Sequence, residues 1–382
     1  MKQHTPMHLS EPFAGPAAVQ PSAGPSIDLT VSSFATVEDL QELQSEWECL
    51  SSRDGDSGLY LSFPWMSRLL KANHGRWRVY TVRTDDSERR LVCLFPVTLE
   101  SQAGDDGSDL GDRLAAAGRL TLSDRTGFLC DPDFSEEGPA ALARQLASER
   151  WGRISLRYEP TGIRSRAFAG AFDKARFRVS WKDHFINDGQ TNYLITPTIY
   201  LPDSFETYLA SHLGAQTRRS MRRAIRKHLE SGECRVTIAD DRTLEKDLGI
   251  LADIWCSQWS AEYDDKALTR SVRRHRRYYL MAHELDAFRL SILWRGDTPL
   301  GAQACVIDRL HGDLIAKQGA RVLSETLPVG NLLLLNEARW AIEAGLRRFD
   351  LGHGDAAYKY SLGASEKVTH YFSIRRRSDA RG

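Results

Sequence analysis

Between Asp350 and Lys359 the chain sets Asp350, His353, Asp355, Tyr358 and Lys359 in close succession. Side chains of these types move protons and steady charge. A carboxylate or imidazole can take a proton from an attacking amine, a phenol can return one to a leaving group, and an ammonium can hold a phosphate or a developing oxyanion. Asp350 and Asp355 are the candidate proton acceptors, with His353 a third because imidazole titrates near neutral pH. Tyr358 and Lys359 are the candidates for the other two tasks. Each has a plainer alternative: Asp350 capping a turn or pairing with Arg347 or Arg348, Tyr358 packed, and Lys359 solvated.

Such a group needs a strand end to stand on. Arg348-Phe349-Asp350-Leu351 predicts a short strand bounded by Gly352 and Gly354, and ligands in layered α/β proteins bind at such ends. Upstream, Pro328 presets a helix entry. Leu332, Leu335, Ala338, Ala341 and Ile342 then recur at helical spacing before Gly345 stops it. Gly330 and Asn331 open that helix with small or capping groups, which leaves backbone N–H groups free for an anion such as a phosphate. The segment from Leu314 to Ala320 reads as the strand before the helix, with Gly319 allowing another backbone or a ligand to approach closely.

The remaining elements predict two α/β units. Residues 1–26 carry Pro6, Pro12, Pro16, Pro21 and Pro25 among Ala, Gly and Ser, and are expected to be a disordered tail, as are residues 377–382. The first unit spans 27–190 and the second 191–376. In the first, a helix over Thr36 to Leu50 and a hairpin from Trp77 to Leu99 are expected, then a mobile loop from Ser101 to Asp112 and a strand from Leu120 to Phe128. In the second, the hairpin pattern recurs from Arg289 to Ile307, and Thr243, Leu244, Leu248, Leu251 and Trp255 echo Thr36, Val37, Leu40, Leu43 and Trp47. The echoes share an offset of ~207 to ~210 positions, which points to duplication.

Composition sets bounds. The chain has 382 residues, 41% hydrophobic and 27% charged, and its 51 basic residues balance 51 acidic ones. No global field therefore favours nucleic acid or membrane, and a basic footprint must be local. One such footprint is the helix from Arg218 to His228, where Arg218, Arg222 and Arg226 share a face over an apolar stripe of Met221, Ala224 and Ile225. Those arginines could grip the phosphates of a coenzyme A or carrier-protein donor, contact RNA, or form a solvated face. Six scattered cysteines without a C-x-x-C pair argue against a zinc site, and a cytoplasmic protein with reduced thiols is expected.

The wording Leu327-Pro328-Val329-Gly330-Asn331-Leu332, followed by Trp340 through Lys359, resembles the C-terminal half of GNAT-fold acyltransferases of the CelD-like type, relatives of the Fem peptidyltransferases. Phe205 to Leu209 and Thr217 to Ala224 resemble the basic helix that opens the same domain. The resemblance implies tandem GNAT-like domains, each a mixed, mostly antiparallel sheet flanked by helices. It implies acyl transfer from acyl-CoA or an acyl carrier to an amine, in envelope or extracellular polysaccharide synthesis. In its terms Asp350, Asp355, Tyr358 and Lys359 are catalytic, Gly319, Gly330, Asn331, Arg218 and Arg222 hold the donor, and no metal takes part. Two other readings stay open: a Fem-like aminoacyl or peptidyl transferase fed by charged tRNA, and a non-catalytic scaffold.

Overall fold

The computed structural model describes residues 28–103, 109–159 and 162–377. Of the tails expected at 1–26 and 377–382, residues 1–26 and 378–382 lie outside the described residues, while Arg377 is described and its amide donates to the Arg176 carbonyl at 2.9 Å. The first half supplies strands β1 (Leu29–Phe34), β2 (Trp77–Thr84), β3 (Leu91–Ala103), β4 (Asp109–Ala116), β5 (Leu129–Cys130), β6 (Arg153–Glu159), β7 (Phe177–Trp181), β8 (Phe185–Ile186) and β9 (Thr191–Asn192). The second half supplies β10 (Ile195–Tyr200), β11 (Cys234–Ile238), β12 (Phe288–Arg295), β13 (Thr298–Asp308), β14 (Asp313–Arg321), β15 (Arg348–Asp350), β16 (Ser365–Val368) and β17 (His370–Arg376).

Both hairpins form where alternation and turn residues place them, with Trp77 facing Thr98 in one and Phe288 facing Val306 in the other. The helix Val329–Glu343 also forms as read: Leu332, Leu335, Ala338 and Ala341 are buried against the second sheet and Phe349, and Gly345 at φ +72° ends the run. Two expectations fail. The segment 101–112 is largely strand, since β3 runs to Ala103 and β4 starts at Asp109, with 104–108 outside the described residues. Leu120 to Phe128 is an irregular loop rather than a strand, because Arg125 sits at φ +59° and the polar side chains Asp124 and Arg125 bond to the other unit.

The two sheets match place for place. The first runs β1-β2-β3-β4-β6-β17-β7, with β5 on β3, and the second runs β11-β12-β13-β14-β15-β10-β16. Each has antiparallel neighbours up to one parallel step, β4 to β6 and β14 to β15. The sixth place in each sheet is filled by a strand from one end of the second half. β10, which follows the first set of strands, enters the second sheet between β15 and β16, while β17, at the end of the second, enters the first sheet between β6 and β7. The division at 191–376 therefore assigns β17 to a unit whose sheet it does not join. A third core joins the units, with Tyr60 and Trp65 of the first packed among Leu248, Tyr278 and Ile292 of the second, and the Tyr60 and Tyr278 hydroxyls 2.5 Å apart.

Candidate active site

The second sheet opens between two neighbouring strands. β14 pairs with β15 only from Asp313 to Ile315, opposite Arg348 to Asp350. Gly352 at φ +75° and Gly354 at φ +94° then turn the chain away from β14, while Leu351 and Gly354 keep donating their amides to Pro197 and Ile195 along β10. A Cβ on Gly352 would stand 3.0 Å from the Ala316 carbonyl oxygen, so the turn is tight as well as left-handed. From Ala316 to Arg321, β14 keeps β13 on one side and, among the described residues, has no strand on the other. Alternate amides of a strand face opposite edges, so part of this backbone is exposed to the wedge. The Arg321 amide there donates to the Gln258 side chain at 3.2 Å.

A cavity of about 670 Å³ fills the wedge, lined by Ala316 to Arg321, Leu351, Tyr358 and the helix start at Gly330 and Asn331. Trp255 and Trp259 form an aromatic wall. Gly319, Gly330 and Asn331 are thus brought together on one cavity. First-turn amides of a helix have no intrahelical acceptor, and this helix has no side-chain cap. Arg218 and Arg222 are absent from this cavity: Arg218 donates to the Ala210 carbonyl at 2.6 Å, and Arg222 pairs with Glu206 at 2.7 Å.

A second cavity, of about 340 Å³, lies where the two units meet. It shares Tyr193, His275, Ala316, Lys317, Gly352 and His353 with the first, so the two spaces adjoin. Lys317 is the extra residue in a bulge between Ala304 and Cys305 of β13. Its Nζ donates to Asp124 at 2.9 Å and to the Leu122 carbonyl at 3.0 Å, over the rings of Tyr60 and Tyr278. Burial alone would raise the Asp124 carboxyl, but Lys317 and His353 outweigh it and hold it well below the usual range. His353 Nε2 stands 3.4 Å from Asp124, its Nδ1 is 3.4 Å from the Thr196 hydroxyl, and its ring stacks on Tyr158 at 3.9 Å. Tyr158 and Arg125 both hold left-handed backbone, φ +64° and +59°, which costs ~1–3 kcal/mol at each and is found where a site dictates side-chain direction.

The remaining candidates have structural employment. Asp350 is buried, accepts from Arg125 and from the Gly352 amide at 2.8 Å, and lines the smaller cavity. Burial works against its charge, but Arg125 prevails and keeps it below the carboxylate range, so its partner is neither Arg347 nor Arg348. Asp355 accepts from the Asn192 amide at 2.8 Å and lines neither cavity. Lys359 is buried, and its ammonium donates to the carbonyls of Gly352, His353 and Gly354 at 2.8, 2.7 and 2.9 Å. An ammonium has three donors, and all are used here to fold the loop that carries His353. Burial pulls it down to about 8, with Asp350 and Asp355 pulling the other way. Tyr358 lines the larger cavity and stays half exposed.

Sequence reading passed over Asp124, Arg125 and Lys317. Their signals were present: Ser123-Asp124-Arg125-Thr126-Gly127 is turn chemistry inside an apolar frame, and Lys317 is a charge in a strand with buried Leu314 and Ile315.

Residues 215–360 match the family described as acetyltransferase (GNAT) domain. No curated protein matches the sequence. Among solved structures, FemX aligns over 86% of this chain and 95% of its own at 12% identity, with a TM-score of 0.58. A conserved protein of unknown function from Bacteroides thetaiotaomicron aligns over 91% of this chain and 100% of its own, also at 12% identity, with a TM-score of 0.53. A tandem GNAT protein from the clavulanic acid biosynthesis pathway covers 92% of this chain at 13% identity, spans 100% of its own and has a TM-score of 0.48. The fold is a mixed α/β arrangement of two mostly antiparallel sheets flanked by helices, and the enzyme class supported by the domain match is an acyltransferase. Among the described residues no helix is long and apolar enough to cross a membrane.

Proposed function

We propose that the protein is an N-acyltransferase that holds an acyl thioester, acyl-CoA in the first instance, in the wedge of the second sheet. The amine acceptor binds in the cavity between the units. The observation that carries this reading is that His353 and Lys317 border both spaces. Exposed amides of β14 bind the donor and polarise its carbonyl, and the first turn at Gly330 and Asn331 receives a phosphate. The amine nitrogen attacks the carbonyl carbon, His353 takes its proton, and the carbon–sulfur bond breaks. The thiolate leaves and is protonated by Tyr358. Asp124 orients His353, Asp350 holds Arg125 and the turn at Gly352, and Lys359 holds the loop. A role in envelope or polysaccharide synthesis rests on the CelD-like resemblance alone.

Exposed arginines on the helix Ala215–Ala224 favour a second reading, a Fem-like transfer from charged tRNA. Isothermal titration with acetyl-CoA and with a charged tRNA separates the two, and mass spectrometry of candidate amines after incubation with each donor detects the product. Acetyl-CoA binding and an acetylated amine are expected. Binding to tRNA with none to acetyl-CoA would overturn the assignment of the donor.

A further inference from the structure

We infer that the cavity between the units is built for an acceptor that carries an anionic group, a carboxylate or phosphate, beside its amine. This rests on the acyltransferase reading for the amine, but the anion follows from the cavity itself. Of the cations lining it, Lys317 is matched by Asp124 and Arg125 by Asp350. Arg119, Arg157 and Arg274 have no carboxylate within ion-pair distance among the described residues. They come from three separate elements: the turn after β4, the strand β6, and the helix Asp265–Glu284.

Two of them keep a buried donor unused. The Nε atoms of Arg119 and Arg157 are buried and have no acceptor. A buried donor without a partner is costly unless something arrives to accept from it. Burial and the neighbouring charges of Arg113 and Arg157 push the Arg119 guanidinium below its usual value. Arg157 lies 4.7 Å over the Tyr371 ring, and although burial alone would raise that phenol, Arg157 helps to draw it down to about 8. Arg274 donates to the Arg119 and Thr121 carbonyls, which ties it to the loop that carries Asp124. An anion at this end would offset the crowding, and the guanidinium fork suits carboxylate and phosphate oxygens. His353 borders the same cavity. The acceptor is therefore a small zwitterion in form: anion among the arginines, amine toward the junction with the donor space.

The test uses matched amines that differ only in the anion, phosphoethanolamine against ethanolamine and glucosamine 6-phosphate against glucosamine. Binding to the full chain is measured by titration calorimetry, with acetyl transfer from acetyl-CoA followed in parallel. The phosphorylated member of at least one pair is expected to bind about 10-fold or more tighter than its neutral partner, with the gap shrinking in Arg157→Gln and in Arg274→Gln. Arg274 is exposed, so its variant guards against a folding defect in the other. Equal binding within both pairs, no binding of any of the four, or a preference that survives both substitutions overturns the anion subsite. A preference that both substitutions abolish, without acetyl transfer to any amine, leaves the subsite standing and overturns the acyltransferase reading instead.

Discussion

Replacing Asp124 by Asn should destabilise the protein by about 3 kcal/mol, because it strands a buried lysine. The Lys317 and Asp124 side chains retain 12% and 22% of their exposure, so cavity water reaches the pair and the lower end of the ~3–5 kcal/mol range for a broken buried pair applies. Lys317 cannot turn elsewhere without leaving the Leu122 carbonyl and the faces of Tyr60 and Tyr278. The double variant Asp124→Asn/Lys317→Met removes both charges and should fall short of the summed single costs by about 2 kcal/mol or more. Urea unfolding across a pH series supplies the assay. The folded Asp124 carboxyl lies below its ordinary 3.8, so the unfolded chain binds more protons in acid. Its contribution is complete above about pH 4 and is lost as the pH falls below that, and Asp124→Asn should flatten this acid limb. Additive single costs, or an acid limb unchanged in the variant, would refute the account of the pair.

His353→Gln should lower kcat by about 10²- to 10⁴-fold with little change in the donor KM. A loss confined to KM would show that the ring only binds. Lys359→Met should cost about 3 kcal/mol or more, because three carbonyls lose a charged donor, and amide exchange across 351–356 should accelerate. If donor affinity fell instead while exchange stayed slow, Lys359 would be a phosphate ligand after all. Gly352→Ala should cost about 1–2 kcal/mol for its left-handed backbone alone, read as a lowered melting temperature.

How far the sequence revealed this arrangement depends on the range of the forces involved. The hairpins and the helix Val329–Glu343 are specified by local periodicity and by turn residues within each segment, and they were legible. The loop over Leu120 to Phe128 was not. Leu120, Leu122 and Phe128 imitate a strand, while the partners that draw Asp124 and Arg125 out of it, Lys317 and Asp350, lie far along the chain. The sheets that receive β10 and β17 were hidden for another reason. Each of these strands is internal with a continuous buried run, Thr196 to Ile199 in β10 and Phe372 to Ile374 in β17, and such a run does not name the sheet that receives it. Asp350 ends β15 and Lys359 lies in the short helix Ala357–Ser361 beyond it, but residue type did not show that the first would bond Arg125 and the second three backbone carbonyls.

The duplication explains why the site is composite. In the second sheet β14 runs on for six residues after Ile315, the last of its pairs with β15, and the wedge beside it stays open. In the first sheet β4 stops at Ala116, one residue after its last pair with β6 at Ala115. The chain then coils into the place where a wedge would be. A Cβ on Gly118 would stand 2.4 Å from the Ser123 carbonyl and the Thr126 hydroxyl, and one on Gly127 would collide with the Glu159 carboxylate at the end of β6. The loop that fills the first opening carries Asp124 and Arg125 outward to Lys317, His353 and Asp350 beside the second. One repeat has thus given up its own opening to complete the other's. β17 opposes separation of the two units, since pulling them apart would remove it from the middle of the first sheet. A chain cut at the 190/191 boundary should therefore leave the first sheet without β17 and the Lys317–Asp124 pair unmade.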